Sequence, residues 1–409
     1  MSSTYAYQVR DRAGKMISGT LEADSQGAVA QRLRTMGYAP VSIEEVKEST
    51  LSKDLQIPGF KPKVKLQDLA IFSRQFATMI NSGLSLIRAL SILQEQSENP
   101  ELARVVDEIR TQVESGRSLS QALNEHCPKV FPKLYVAMVR AGETAGMLDQ
   151  VLLRIAENLE KDVALRGKIK AALTYPVIVF ILAVLLTGVM LVFIVPTFVG
   201  LFETLGGDLP LPTKILMGAS NFVSSIAGLV TLVVLPAAIW FAYKRIRDTE
   251  QGRYRLDVVK LKLPVFGDLF HKIAIARFSR NLGTLLRAGV PILQALEITA
   301  ETVNSGPVSM AVKDVQDGVR EGEAIATPLA QHAVFPPMVV QMIAVGEETG
   351  AVDTMLDKIA DFYDQEVEST TEALTALMEP LMIAVLGGIV GAMVIALYMP
   401  IFKVIDLVS

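Results

Sequence analysis

Two short glycine-rich motifs carry the acidic side chains of this sequence that are best arranged for chemistry. The first motif is Gly142-Glu-Thr-Ala-Gly146 and the second is Gly346-Glu-Glu-Thr-Gly350, and further carboxylates follow each. Carboxylate oxygens are ligands that Ca²⁺ and Mg²⁺ prefer. The candidate ligands for a divalent cation such as Ca²⁺, at a contact between the two motifs, are Glu143, Asp149, Glu347 and Asp353, with Glu348 and Asp357 nearby.

The same motifs also have a structural interpretation, which we favour and which requires no cofactor. Glycine permits tight backbone geometry, and acidic side chains near it favour the positive end of a following helix. Two further glycines are interpreted as helix breaks that need no side chain. The structural glycines are therefore Gly83, Gly142, Gly146, Gly289, Gly346 and Gly350.

Other catalytic motifs are missing from the sequence. The histidines at 126, 271 and 332 are scattered, and a single cysteine, Cys127, excludes an intrachain disulfide and a CxxC site. The sequence contains no GxxxxGK[ST] phosphate loop, no HExxH and no GxSxG. We therefore predict that the protein is not an enzyme.

Composition indicates an integral membrane protein with substantial aqueous domains. Of the 409 residues, 51% are hydrophobic while 20% are still charged, and the net charge of −4 gives little support for nucleic-acid binding. The N-terminus has no apolar segment typical of a cleavable signal peptide. Internal spans are therefore expected to direct membrane insertion.

Three long runs without charge predict the transmembrane helices, at 171–202, 215–243 and 380–402. About 20 apolar residues are enough to cross the roughly 30 Å hydrocarbon core of a bilayer. The second run contains Pro236, where we expect a kink. In the third, Gly387 and Gly391 have the GxxxG spacing that allows close approach of another helix, although membrane helices are generally rich in glycine.

The remaining segments divide into smaller domains. Alternating and helical patterns predict a ββαβ module at 1–48 and a linker at 49–66. Helical periodicity predicts bundles of about six helices each at 67–170 and 244–379, with short extracytoplasmic segments at 203–214 and 403–409. The predicted fold class is thus a mainly α membrane protein with two repeated cytoplasmic bundles and three transmembrane helices.

The second bundle repeats the first. The sequence from Phe72 recurs from Phe278, an offset of 206, and after a two-residue loss the offset is 204. The register continues into the membrane, where Pro176 matches Pro380. Two like copies should face the same side of the membrane, and the unpaired second span provides the additional crossing that this requires.

Charge predicts which side that is. The segments 154–170 and 244–262 carry five and seven Lys/Arg, whereas the loop between these spans carries only Lys214. By the positive-inside rule, both bundles and the N-terminus are cytoplasmic and the C-terminus is extracytoplasmic. Residues 360–379, before the third span, lack Lys and Arg and would favour the opposite orientation of that span. We give the internal repeat more weight and assign both bundles to the same side of the membrane.

Paired motifs of the two copies match a known family. These are (S/A)G(L/V)xxxxAL at 82–90 and 288–296, FP at 131 and 335, and the two GExxG motifs, with three spans in this order. In these features, essentially the whole chain resembles the PilC/GspF family, the inner-membrane platform proteins of type IV pilus and type II secretion machines.

The resemblance implies a non-enzymatic protein of the bacterial cytoplasmic membrane that forms dimers or higher oligomers. Such a protein would couple a hexameric cytoplasmic ATPase to insertion or extraction of pilins or pseudopilins, beside other inner-membrane assembly proteins. The sequence does not distinguish a role in pilus assembly from one in type II secretion. We expect pilus assembly. A membrane transporter is a further alternative. The absence of charged residues from the predicted spans argues against it.

Overall fold

The computed structural model describes residues 3–10, 16–23, 25–45, 63–203, 210–247 and 249–408. The chain forms two compact units, Met1–Pro62 and Lys63–Ser409, and each is considered by itself. Most of the predicted linker at 49–66, and residues 204–209 of the loop after the first span, lie outside the described residues.

The N-terminal unit is a three-stranded antiparallel sheet with one helix. Its elements are β1 (Ser3–Arg10), β2 (Met16–Ala23), α1 (Gln26–Thr35) and β3 (Ala39–Glu45). The strand order is β2-β1-β3, and Tyr5, Val29 and Leu33 form the buried core. The ββαβ order agrees with the prediction, but Met36, which helical spacing groups with Leu33, lies beyond the end of α1 and is exposed.

The first repeat consists of six helices. They are α2 (Leu66–Asn81), α3 (Leu86–Gln96), α4 (Pro100–Glu114), α5 (Leu119–Asn124), α6 (Lys133–Ala145) and α7 (Leu148–Val189). Local sequence sets their boundaries. Asn99 caps α4, accepting hydrogen bonds from the backbone N–H groups of Glu101 and Leu102, with Pro100 in the first turn.

Helix α7 continues into the membrane region without a break. A π-helical segment (Met190–Ile194) leads into α8 (Val195–Glu203), and α9 (Leu211–Ser224), α10 (Ile226–Arg247) and α11 (Glu250–Lys262) complete the connection to the second repeat. The Ser220 hydroxyl donates to the carbonyl oxygen of Leu191 at 2.5 Å. A polar group of α9 thus satisfies a carbonyl of the π segment, where the α-helical hydrogen-bond pattern is interrupted.

The expectation of one continuous helix over 215–243 is wrong. The chain leaves the helical conformation at Ser225, whose side-chain oxygen accepts a hydrogen bond from the Gly228 N–H at 3.0 Å and so caps α10. Pro236 lies inside α10 and does not end it. Three helical stretches are long and apolar enough to cross a membrane within the described ranges: Leu148–Phe198, Ile226–Arg247 and Val352–Pro400.

The second repeat contains the same six helices in the same order. They are α12 (Phe266–Arg287), α13 (Ile292–Thr302), α14 (Gly306–Arg320), α15 (Ala326–Ala330), α16 (Pro337–Thr349) and α17 (Val352–Val408). The starts of α3 and α13 differ by 206 residues and those of α6 and α16 by 204, as the sequence offsets predict. Helix α17 continues to Val408 and includes nearly all of the predicted C-terminal tail.

Both repeats contribute to one hydrophobic core. Phe131 packs edge-on against Phe72, and the equivalent Phe335 packs against Phe278, with ring centroids 6.1 and 4.9 Å apart. Apolar stripes at helical spacing on α2 and α12 place these rings inward. Since the buried cluster is continuous from Leu69 to Tyr363, the two repeats pack as one body.

Candidate functional site at the junction of the two repeats

The first glycine of each GExxG motif lies where two helices touch. A Cβ at Gly142 would come within 3.0 Å of the Val151 side chain, and one at Gly346 within 2.9 Å of the Val352 Cα. A side chain at either position would therefore force α6 from α7, or α16 from α17. Close packing at the start of both long helices accounts for this glycine.

The glutamate of each motif binds the start of another helix. Glu143 accepts hydrogen bonds from the backbone N–H groups of Leu119 and Ser120, at 2.5 and 3.0 Å. Glu347 accepts from those of Ile325 and Ala326, at 2.5 and 2.9 Å. These amides open the short helices α5 and α15 and have no partner within them, so the carboxylate serves as a cap supplied from a distance.

The last glycine of each motif ends the helix. Gly146 and Gly350 have φ values of 70° and 69°, the left-handed conformation that glycine adopts at a helix C-terminus. The residues of the first motif before Gly146 are helical, because α6 continues through Ala145. Gly83 and Gly289 follow α2 and α12 with φ values of 87° and 80°, consistent with the expected helix breaks.

The remaining candidate cation ligands are found at the starts of the long helices. Asp149 is in the first turn of α7, and Asp353 accepts from the Arg287 Nε at 3.2 Å, while Asp357 binds another nitrogen of the same guanidinium. Within the parts of the chain that the structure describes, no three His, Cys, Asp or Glu side chains come together as a metal site. Protein groups are thus the observed partners of Glu143, Glu347 and Asp353.

The membrane positions singled out by the sequence lie within continuous helices. Pro176 is inside α7, and Pro380 is inside α17, at equivalent positions of the repeat. A Cβ at Gly387 or Gly391 would meet no atom within 4 Å. The GxxxG ridge therefore packs against no described helix of this chain.

An arginine in each copy was not assigned a role from sequence. The Arg74 guanidinium donates to both oxygens of Glu160, at 2.6 and 2.5 Å, and this hydrogen bonding lowers the pKa of Glu160. The equivalent pair in the second copy is Arg280 and Asp364. Each pair joins the first helix of its repeat to the long helix. The Phe-Ser-Arg triplet that both copies share is the sequence feature that could have indicated a role for this arginine.

The two long helices run side by side across the junction. Lys161 binds Asp361 at 2.8 Å and Lys168 binds Glu368 at 2.5 Å. Both pairs join residues 200 positions apart, which requires α7 and α17 to be parallel. The Lys133–Glu301 pair, at 2.9 Å, connects the repeats at a further point.

Comparison with known proteins agrees with this architecture. The family model described as type II secretion system protein F matches the chain twice, at residues 72–196 and 278–400, and the model for its N-terminal domain matches residues 1–44. The chain belongs to the type II secretion system protein F family. The two matches begin at Phe72 and Phe278 and end at Pro196 and Pro400, which reproduces both offsets of the internal repeat.

Members of the protein F family with similar sequences have names from two machines. The type IV pilus assembly protein PilC of Thermus thermophilus is 46% identical, over 99% of both chains. PilC of Myxococcus xanthus is 43% identical, over 98% of this chain and 95% of that protein. The type II secretion system protein F of Vibrio cholerae is 33% identical over the full length of both. These names describe assembly and secretion, and describe no catalysed reaction.

Proposed function

We propose that the protein is the inner-membrane platform of a type IV pilus assembly machine. Higher identity to the two PilC proteins than to the Vibrio cholerae protein supports a pilus role over type II secretion, which is the second candidate. Lys and Arg near the ends of the first two spans support cytoplasmic repeats, with the N-terminus inside and the C-terminus outside.

The observation that carries this proposal is the continuity of two helices. Helix α7 extends from the junction of the repeats to Val189 in the membrane, and α17 extends from Val352 to Val408. Neither has a loop at which a displacement of the soluble part could be absorbed. A cytoplasmic hexameric ATPase that moves the repeats would therefore move the spans, beside which pilins are inserted or extracted.

Additional partners are expected within the membrane. The spans expose large apolar side chains over most of their surface, among them Phe180, Phe193 and Trp240. This surface is suited to lipid, to the apolar helices of pilins and to other inner-membrane assembly proteins. The unpacked ridge at Gly387 and Gly391 supports a homo-oligomer through α17, in which two copies approach closely.

The coupling can be tested where α7 leaves the soluble part. Residues 164, 167, 168 and 171 are all exposed. We compare a variant with glycine at all four positions with a variant that has alanine at all four. Both lose Lys168 equally, but glycine disfavours the helix by about 1 kcal/mol per residue relative to alanine. The pair therefore differs in helix stiffness, and charge is the same.

We expect both variants to insert into the membrane at wild-type levels in a strain lacking the native protein. Pili should be assembled with the alanine variant and lost with the glycine variant. Normal piliation with four glycines would rule out transmission through α7. Complementation of a secretion-deficient strain, but not of a pilus-deficient one, would instead support type II secretion.

A further inference from the structure

A basic cleft lies between the two repeats, beside helix α7. Its volume is about 720 Å³, and helices α6 and α7 of the first copy face α11 to α14 of the second across it. Its charged lining consists of two acids, Asp162 and Glu301, and six basic residues, Lys133, Arg166, Arg253, Arg277, Arg280 and Lys313.

The acids of the cleft do not balance this positive charge. Asp162 binds both Arg166, at 3.0 Å, and Arg277, at 3.3 Å, so that one carboxylate serves two guanidinium groups. Burial lowers the pKa of Arg277 against the opposing effect of Asp162. Arg253 and Lys313 are exposed and form no ion pair within the described residues.

Two buried donors of the cleft lack acceptors. The Arg280 side chain is only 7% exposed and its guanidinium binds Asp364, yet its Nε is buried without a hydrogen-bond partner in the described part of the chain. The same holds for Nδ2 of Asn158. The Oδ1 of Asp364, the partner of Arg280, is likewise buried and unpaired. Arg280 and Asn158 both line the cleft, so its wall contains polar side chains whose hydrogen-bonding capacity the described residues do not fully use.

The cleft also has an apolar part of its lining. It consists of Leu134, Met138, Ile155 and Leu159 together with Pro128 and Pro132. Cavities of roughly 300–1,000 Å³ that combine an apolar wall with a few convergent polar groups are typical of small-ligand sites. Arginine is the side chain that best binds phosphate, through paired N–H donors.

We propose that this cleft binds a phosphate-bearing ligand with an apolar portion, with Arg277 and Arg280 as the inner phosphate-binding residues and Arg253 and Lys313 at the rim. Two sources share this chemistry. Arg166 precedes the first uncharged run by a few residues and Arg253 follows the second span closely, so a phospholipid headgroup can reach the rim. A soluble nucleotide-like phosphate is the other source.

The test uses the full-length protein in lipid nanodiscs and measures amide hydrogen exchange of peptides from α7 and α12. In one arm, inorganic pyrophosphate is titrated onto protein in phosphatidylcholine discs. In the other, pure phosphatidylcholine discs are compared with discs containing phosphatidylglycerol. Protection of residues 277–281 in the first arm alone identifies a soluble ligand, and in the second alone a lipid. Protection in neither arm overturns the proposal.

A matched pair of variants tests the location. Arg253→Gln with Lys313→Gln removes two rim cations, and we expect at least a tenfold loss of affinity for whichever probe protects the cleft. Arg88→Gln with Lys358→Gln removes the same charge from exposed positions elsewhere, and affinity should stay within twofold. Equal losses in both variants would overturn the proposal. Arg280→Lys retains a cation beside Asp364 but removes the planar guanidinium, and should also weaken binding.

Discussion

Replacement of Glu347 by alanine should loosen the start of α15, which lies more than 20 positions earlier in the chain. The side chain accepts from two backbone amides, of Ile325 and Ala326. Each hydrogen bond to a charged group contributes about 1.5–3 kcal/mol. The loss of both should lower the free energy of local opening at the start of α15 by about 3 kcal/mol, which is roughly a 150-fold change in the opening equilibrium.

Amide hydrogen exchange of a peptide covering residues 322–331 measures this directly. The Glu347→Gln variant retains one neutral acceptor oxygen and should show about a tenfold effect, or about 1.4 kcal/mol. Glu348→Ala is the control, because this exposed carboxylate lies one position further along the same helix. The repeat supplies a replicate: Glu143→Ala should deprotect residues 118–122 by a similar factor.

The capping argument would be refuted if Glu347→Ala and Glu348→Ala increased exchange equally. It would also be refuted if Glu347→Ala deprotected the whole second repeat to the same extent as residues 322–331. In that case the glutamate would contribute to global stability in a way that its two hydrogen bonds do not explain.

Three further outcomes are expected. Gly346→Ala places a Cβ 2.9 Å from the Val352 Cα and should destabilise the protein by about 1–3 kcal/mol, seen as a lower Tm. Gly188→Ala, in open space inside α7, should not lower Tm, because alanine favours the helix. Ser220→Ala removes the hydrogen bond to the π segment and should lower stability by about 1 kcal/mol, unlike the exposed Ser224→Ala. Burial raises the pKa of Cys127, so less of its thiolate is present at pH 8.5. Iodoacetamide should therefore modify Cys127 more slowly than the cysteine of a Ser82→Cys variant, which is at an exposed position. The difference in rate should become smaller at higher pH.

The internal repeat was predictable because the sequence contains two recognisable copies of the same segment. Its offsets of 206 and 204 are the offsets of the helices and of the family matches. The glycines at positive φ were also accessible, because Gly83 and Gly289 interrupt the same periodic pattern. Long hydrophobic runs predicted the spans, because length and composition alone determine whether a helix can cross a bilayer.

Contacts between distant positions were not predictable from these patterns. Glu143 binds amides 23 and 24 positions earlier, and no local signal indicates that partner. The break at Ser225 was missed because the uncharged run continues through it, while a single serine provides the cap. The basic cleft brings together residues from both copies, which no spacing within one segment reveals.

The ion pairs between the long helices also show how the two copies are related in space. Equivalent residues there are 204 positions apart, whereas the paired residues are 200 apart. The pairs therefore do not join equivalent positions: the first copy contributes both lysines and the second copy both acids. The positions equivalent to Lys161 and Lys168 are Gln365 and Glu372, so the two faces of this junction differ in charge. A symmetric ring that touched both copies would have to make two unlike contacts.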